Sequence, residues 1–189
     1  MLLIQFIYFL TAFSTPNTTL ADEVCLSTEE KRLYEVIMDY RKDKKLKSIP
    51  YSAKLTKVAQ AHVRDLMDNY DFSQHDLCNP HSWSDTGEWS SCCYTDDHQK
   101  ASCMWDKPRE IAGYEGDGYE IAYYFSAGAT ADTALAGWQK SQGHNPLLVN
   151  TGMWHDVTWS AIGIGIYKEY AVVWFGQVED KSRIVSCSN

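Results

Sequence analysis

Positive charge is scarce in this sequence: 17 Lys and Arg stand against 25 Asp and Glu, a formal charge of −8 over 189 residues. That balance argues against nucleic acid and anionic membrane surfaces as partners. Long apolar runs are missing beyond the N-terminus, so no later segment can span a bilayer. Charge is also missing from the start of the chain, where none appears before Asp22. The apolar run Met1 to Phe13 is shorter than the ~20 residues a spanning helix needs. Thr19-Leu20-Ala21 ends in small-x-small style, so residues 1–21 read as a secretory signal peptide. Val24 rather than a small residue precedes Cys25, so no lipid anchor is expected. Internal repeats and low-complexity tracts are absent.

What remains, residues 22–189, has the length of one domain with a substantial core. The chain is 44% hydrophobic and 22% charged, as in a soluble globular protein. Aromatics make up 13%, with seven Trp and twelve Tyr, which serve cores and ligand grooves alike. Six cysteines, Cys25, Cys78, Cys92, Cys93, Cys103 and Cys187, follow the signal. An even number in a secreted chain implies disulfides and an oxidising compartment. Cys25 with Cys187 would clamp the two ends. Adjacent cysteines rarely bond each other, so Cys92 and Cys93 each pair with Cys78 or Cys103. The four central cysteines lack the paired short spacing of a zinc knuckle, which disfavours a thiolate zinc site.

Ser27-Thr28-Glu29-Glu30 is a capping box opening a helix to about Asp43, with Leu33, Val36, Ile37 and Tyr40 on its apolar side. Lys42, Lys44, Lys45 and Lys47 form a solvated helix end. After Pro50 a second helix starts near Ser52, with Leu55, Val58, Ala59, Val63 and Leu66 on one face. His62 lies on or beside that face and reads as a packing residue. Residues 71–118 are poor in periodicity. Their disulfide-rich part, 75–118, reads as a long stapled loop carrying His75, His81, His98, Glu88 and Glu110. Residues 119–124 form a strand-like run, and residues 129–141 an alanine-rich helix. Gly143 and Pro146 are expected to stop that helix, leaving His144 just beyond its end, where it caps the last carbonyls or serves a metal or a proton. Residues 161–167 and 171–176 form two strands joined by a tight turn. Gly163 and Gly165 leave one face of the first strand bare, so a helix or the Trp138 stretch can approach closely. Helices followed by antiparallel strands give an α+β domain.

Glu120 is the most informative carboxylate. Within a strand an unpaired charge is expensive, so it needs a partner or a raised pKa. A structural ion pair and an acid–base or metal-site role are both open. No convincing nucleophile is present: the cysteines are paired, and Ser82 beside His81 settles nothing without spatial geometry.

Several motifs resemble one family. Gly118-Tyr119-Glu120-Ile121-Ala122 is similar to the Gly-Glu-Asn-Ile-Ala element of the CAP superfamily, the cysteine-rich secretory, antigen 5 and pathogenesis-related proteins with an SCP domain. Trp138 to Asn145 resembles the Trp-x-x-Ser-x-Gly-His-Arg run of bacterial members. Trp159 to Gly165, with Val173 to Gly176, resembles the closing hairpin. The order and spacing of these motifs cover roughly residues 27–180. The resemblance implies a secreted three-layer α-β-α sandwich with a central antiparallel sheet and an open cleft.

In that family two histidines and two acidic residues line the cleft. Carried over, His144 supplies one histidine and Glu120 one carboxylate. His81 is the favoured second histidine, since Cys78 would hold its loop, and His75 is the reserve. The second acidic position of eukaryotic members is here Ser141, with Glu110 or Glu88 as substitutes from the loop. Two neutral imidazoles and a carboxylate suit Zn2+ or another divalent cation. The resemblance implies an extracellular or periplasmic monomer binding a lipid, a sterol or a protein partner. The alternatives are a metal-dependent hydrolase or peptidase using Glu120, His81 and His144, and a structural surface module with a vestigial site.

Overall fold

The computed structural model describes residues 24–75, 77–182 and 185–187; the expected signal peptide, residues 1–21, lies outside them. In chain order the elements are β1 (Cys25–Leu26), α1 (Thr28–Asp43), α2 (Ala53–Asp68), α3 (Ser102–Trp105), α4 (Lys107–Ala112), β2 (Gly118–Tyr124), α5 (Ala131–Lys140), α6 (His144–Leu148), β3 (Ala161–Tyr167), β4 (Tyr170–Gly176) and β5 (Val185–Ser186). The capping box at Ser27 forms as expected. Ser27 Oγ accepts from the Glu30 amide, and the Glu30 carboxylate accepts from the Ser27 amide at 2.8 Å. Ser52 caps α2 through Leu55 N at 2.9 Å and also donates to Asp180 Oδ2 at 2.7 Å. That bond ties the start of α2 to the chain beyond β4.

The central sheet runs β2-β4-β3, antiparallel throughout, with β2 at one edge. Alternation sorts its side chains between two cores. Ile121, Ile162, Ile164, Val173 and Phe175 pack with Leu33 and Ile37 of α1 and with Ala134 and Trp138 of α5. The opposite face carries Ala161, Val172 and Trp174 against Leu55, Val58, Ala59 and Leu66 of α2. The layers are thus α1 with α5 and α6, the sheet, and α2 with the disulfide-linked segment.

The bare strand face serves α2. A Cβ on Gly163 would stand 2.1 Å from the Leu55 carbonyl carbon, and one on Gly165 would stand 2.5 Å from that of Ala59. Trp138 packs in the other core and has no part in this approach.

All six cysteines are paired: Cys25–Cys187, Cys78–Cys93 and Cys92–Cys103. The pairing excludes thiolate zinc binding. The first bond joins the chain ends beside the short parallel pair β1–β5. The segment expected as loop contains two short helices, α3 and α4. Pro108 sits in the first turn of α4, where its missing N–H costs nothing, and Gly113 ends it at φ 61°.

Candidate functional site

Glu120 and His62 meet because two periodicities converge. On β2 Glu120 alternates with Tyr119 and Ile121 and so faces α2 rather than α1, opposite Trp174 on β4. On α2, His62 stands three residues after Ala59, on the stripe that the two strand glycines draw toward the sheet. The Glu120 Oε1 lies 2.5 Å from His62 Nδ1, and both side chains are fully buried. His62 Nε2 donates to the Ser82 carbonyl at 2.9 Å. Its ring stacks on Trp83, with centroids 4.0 Å apart and planes 7° from parallel.

The other oxygen of Glu120 meets His81. Its Oε2 is 2.8 Å from His81 Nδ1. The disulfides Cys78–Cys93 and Cys92–Cys103 pin the segment that carries His81. Within it, His81 N donates to Asn79 Oδ1 at 3.1 Å, and the Tyr94 ring stands edge-on at 5.3 Å. Ser82 is no free nucleophile, since its hydroxyl accepts from Tyr94 N at 2.8 Å in a buried position.

His144 comes to the site differently from the sequence reading. Gly143 has φ −83° and ψ −44°, an ordinary right-handed conformation. α5 ends instead at Lys140, with Ser141 turning extended. A new helix, α6, then begins at His144, with Pro146 as its third residue. Proline is tolerated there because first-turn N–H groups have no helical partner. His144 therefore does not cap α5. It opens α6, its amide bonded to Ser141 Oγ at 3.2 Å. Both ends of α6 are tied to α1: Tyr40 donates to Asn145 Oδ1 at 2.9 Å, and Arg41 donates to the Leu148 carbonyl at 2.6 Å. The result is a His144 ring 6.3 Å from the His81 ring, at 83° to it.

Electrostatics follow from burial. Desolvation, with the like charge of His81, pushes His144 down to about 4 against the pull of Glu120, so its imidazole is neutral at physiological pH. Burial pushes the Glu120 carboxyl up, but the charge and hydrogen bond of His62, with those of His81, outweigh it and hold the carboxyl below its ordinary value.

The structure thus brings His81, His144 and Glu120 together, and it leaves His75 out. His75 stands beside Tyr70, ring centroids 5.3 Å apart, in an open groove of about 720 Å³ shared with Asp71, Gln74, Asp85 and Lys100. Glu110 is committed elsewhere, to the Lys107 ammonium at 2.6 Å and the Ser90 amide. Glu88 is exposed. Where a second acidic residue was sought, Ser141 instead holds the start of α6. The residue that sequence reasoning misplaced is His62, which packs as expected but also binds Glu120. A histidine on the apolar stripe of one element, with a lone carboxylate on the buried face of a strand, was the available signal.

Among the described residues no group of three or more His, Cys, Asp or Glu side chains is arranged to hold a metal ion. Both oxygens of Glu120 are engaged by imidazoles, which removes it as a direct ligand. What fits a cation is the pair His81 and His144. Two imidazoles on one tetrahedral zinc would have ring centroids about 5 Å apart, so the observed 6.3 Å requires a small closure. On the other face of β2, where Tyr119 points, runs an aromatic row: Trp105 of α3 lies 6.5 Å from Tyr119, and Tyr119 lies 5.2 Å from Trp154.

A family model for the cysteine-rich secretory protein family, CAP, matches residues 34–175. Among solved structures, a cysteine-rich secretory protein from Staphylococcus aureus aligns with a TM-score of 0.51 at 16% identity, covering 79% of this chain and 39% of that one. An extracellular protein containing an SCP domain, from Bacillus anthracis, aligns with a TM-score of 0.53 at 16% identity, covering 79% and 40%. This chain therefore spans about two fifths of the length of those proteins. Curated proteins give no match. With most of α1, all of α2 to β3, the Glu120 element and all but the last residue of the closing hairpin inside the matched span, the chain belongs to the CAP family of cysteine-rich secretory proteins.

Proposed function

We propose that the chain is a secreted CAP domain that binds an extracellular ligand at the His81–His144 pair, which accepts a divalent cation such as Zn2+ or the polar head of the ligand. One observation carries this: two imidazoles, one held by a buried carboxylate and the other kept neutral by burial, stand 6.3 Å apart. Three paired disulfides and the extracellular relative support secretion. Trp105, 41% exposed and next in the chain to the Met104 that meets the Glu120 amide, favours a ligand with an apolar body, such as a lipid or sterol. Binding is favoured over hydrolysis because Glu120 is fully buried with both oxygens taken, and so has no free lone pair aimed at a water. A bound cation would supply Lewis acidity. The chain's own part is to present two imidazoles, with Glu120 orienting one of them.

Zinc titration by calorimetry on the oxidised mature protein tests the reading. Saturable binding should be lost in His81→Ala and in His144→Ala and kept in His75→Ala. No binding by the unaltered protein would remove the metal. Sterol or fatty-acid binding that survives Trp105→Ala with Trp154→Ala would remove the aromatic row.

A further inference from the structure

Buried donors and acceptors must match, and around Glu120 the matching has one solution. The Ser82 carbonyl only accepts, so His62 Nε2, 2.9 Å away, carries a proton. Between His62 Nδ1 and Glu120 Oε1, at 2.5 Å, there must be another, since two bare lone pairs would repel. That proton belongs to an imidazolium facing a carboxylate or to a carboxylic acid facing an imidazole. In both cases it lies on the Oε1 side, and Oε2 is left as an acceptor. His81 Nδ1, 2.8 Å from Oε2, must then be the donor. A neutral imidazole has one N–H, so in the neutral form of His81 the other nitrogen is bare.

We propose that His62 is a positioning residue: by sharing a proton with Glu120 it makes the carboxyl an obligatory acceptor from His81 Nδ1 and leaves His81 Nε2 as a free lone pair beside His144. Without His62, Glu120 would be a buried carboxyl with one partner. Its own proton could then turn to His81 Nδ1 and release the other tautomer, in which Nε2 carries the hydrogen and can bind neither a cation nor a ligand donor. Packing alone does not call for this arrangement. A phenyl ring would stack on Trp83 equally well, whereas His62 uses both of its nitrogens. This deepens the ligand-binding reading of the His81–His144 pair, but its first test does not depend on that reading.

The test is long-range proton–nitrogen correlation NMR on the metal-free, oxidised mature protein labelled with nitrogen-15 in histidine, at about pH 8, where an ordinary imidazole is neutral. In the unaltered protein, His81 should show a protonated Nδ1 and a bare Nε2. His62→Phe keeps a ring against Trp83 but cannot hydrogen-bond, and it should give His81 as a mixture of tautomers. His62→Gln offers two amide hydrogens, one for Ser82 O and one for Glu120, and it should restore the single tautomer. Zinc affinity should fall about 10–100-fold in His62→Phe and recover in His62→Gln, as expected for a group behind a ligand. A protonated Nε2 on His81 in the unaltered protein overturns the proposal even if neither variant folds. An unchanged His81 signal in a folded His62→Phe overturns it as well. If zinc fails to bind at all but the tautomer responds, the metal reading falls and the positioning role stands.

Discussion

Glu120 and His144 decide what single substitutions can report. Glu120→Gln is a common mild probe of catalysis, but here it puts an amide where a carboxyl faces two imidazoles. Removing one member of a buried pair costs roughly 3–5 kcal/mol. Glu120→Gln should therefore lower the urea midpoint clearly, and an unchanged midpoint would mean that the His62–Glu120–His81 arrangement contributes no stability. His144 gives a pH dependence. Folding lowers its pKa from 6.5 to about 4. Between those values the unfolded chain binds the extra proton, so stability rises with pH by up to about 1.4 kcal/mol per unit and is flat for this group above 6.5. Glu120, held below the ordinary carboxylate value, acts in the same direction at lower pH, its contribution being lost on acidification. Urea unfolding of the metal-free protein at pH 5 and pH 7 should show the loss, and His144→Phe should flatten the profile between pH 6.5 and 5.

At the scale of elements, the site depends on how closely α2 lies on β3. Gly163→Ala would set a methyl group 2.1 Å from the Leu55 backbone, where neither a rotamer nor a flexible tip can yield. Overpacking typically costs 1–3 kcal/mol, and a backbone clash belongs at or above about 3. Lifting α2 would also pull His62 from Glu120, so zinc affinity should fall with the melting temperature. A variant that melts lower but binds zinc unchanged would uncouple the helix height from the site. The α6 helix works in a similar way. Its start holds His144, while Tyr40 and Arg41 of α1 fix its two ends. The basic cluster at the end of α1 is solvated, as its sequence implies, but Arg41 just before it is buried and bonded to Leu148 and Asn150.

For the molecule as a whole, the chain is closed by Cys25–Cys187 across 162 residues. A loop of that length gives a chain-entropy contribution of about 5 kcal/mol as an upper value, with 2–4 typical. The double substitution Cys25→Ser with Cys187→Ser should destabilise by that order, measured by guanidinium unfolding of the oxidised protein. It should leave zinc affinity at His81–His144 intact, because the two shorter disulfides, Cys78–Cys93 and Cys92–Cys103, hold the His81 segment. Loss of both properties together would show that the terminal clamp also orders the site.

The sequence by itself determined the long helices α1, α2 and α5, the strands of the central sheet and the family, but not the short helices α3, α4 and α6. Capping residues at Ser27 and Ser52, the alternation in residues 119–124 and 161–176, and the even cysteine count are local signals, and local signals carry helices, strands and disulfide chemistry. They also sufficed to mark Glu120, His81 and His144, because a strand carboxylate and motif histidines stand out against their neighbours. Only the tertiary structure decided which partners these groups meet. His62 looks like one more residue on an apolar stripe until the glycines of β3 bring α2 onto the sheet beside Glu120. His144 looks like a helix cap until α6 forms and α1 ties it down. His75 and His81 are equally near a cysteine in sequence, and three-dimensional closure puts only His81 against the carboxylate. The physical reason is the same each time: propensity and capping act over a few residues, whereas a buried charge is satisfied by whatever the packing of distant elements places within 3 Å of it.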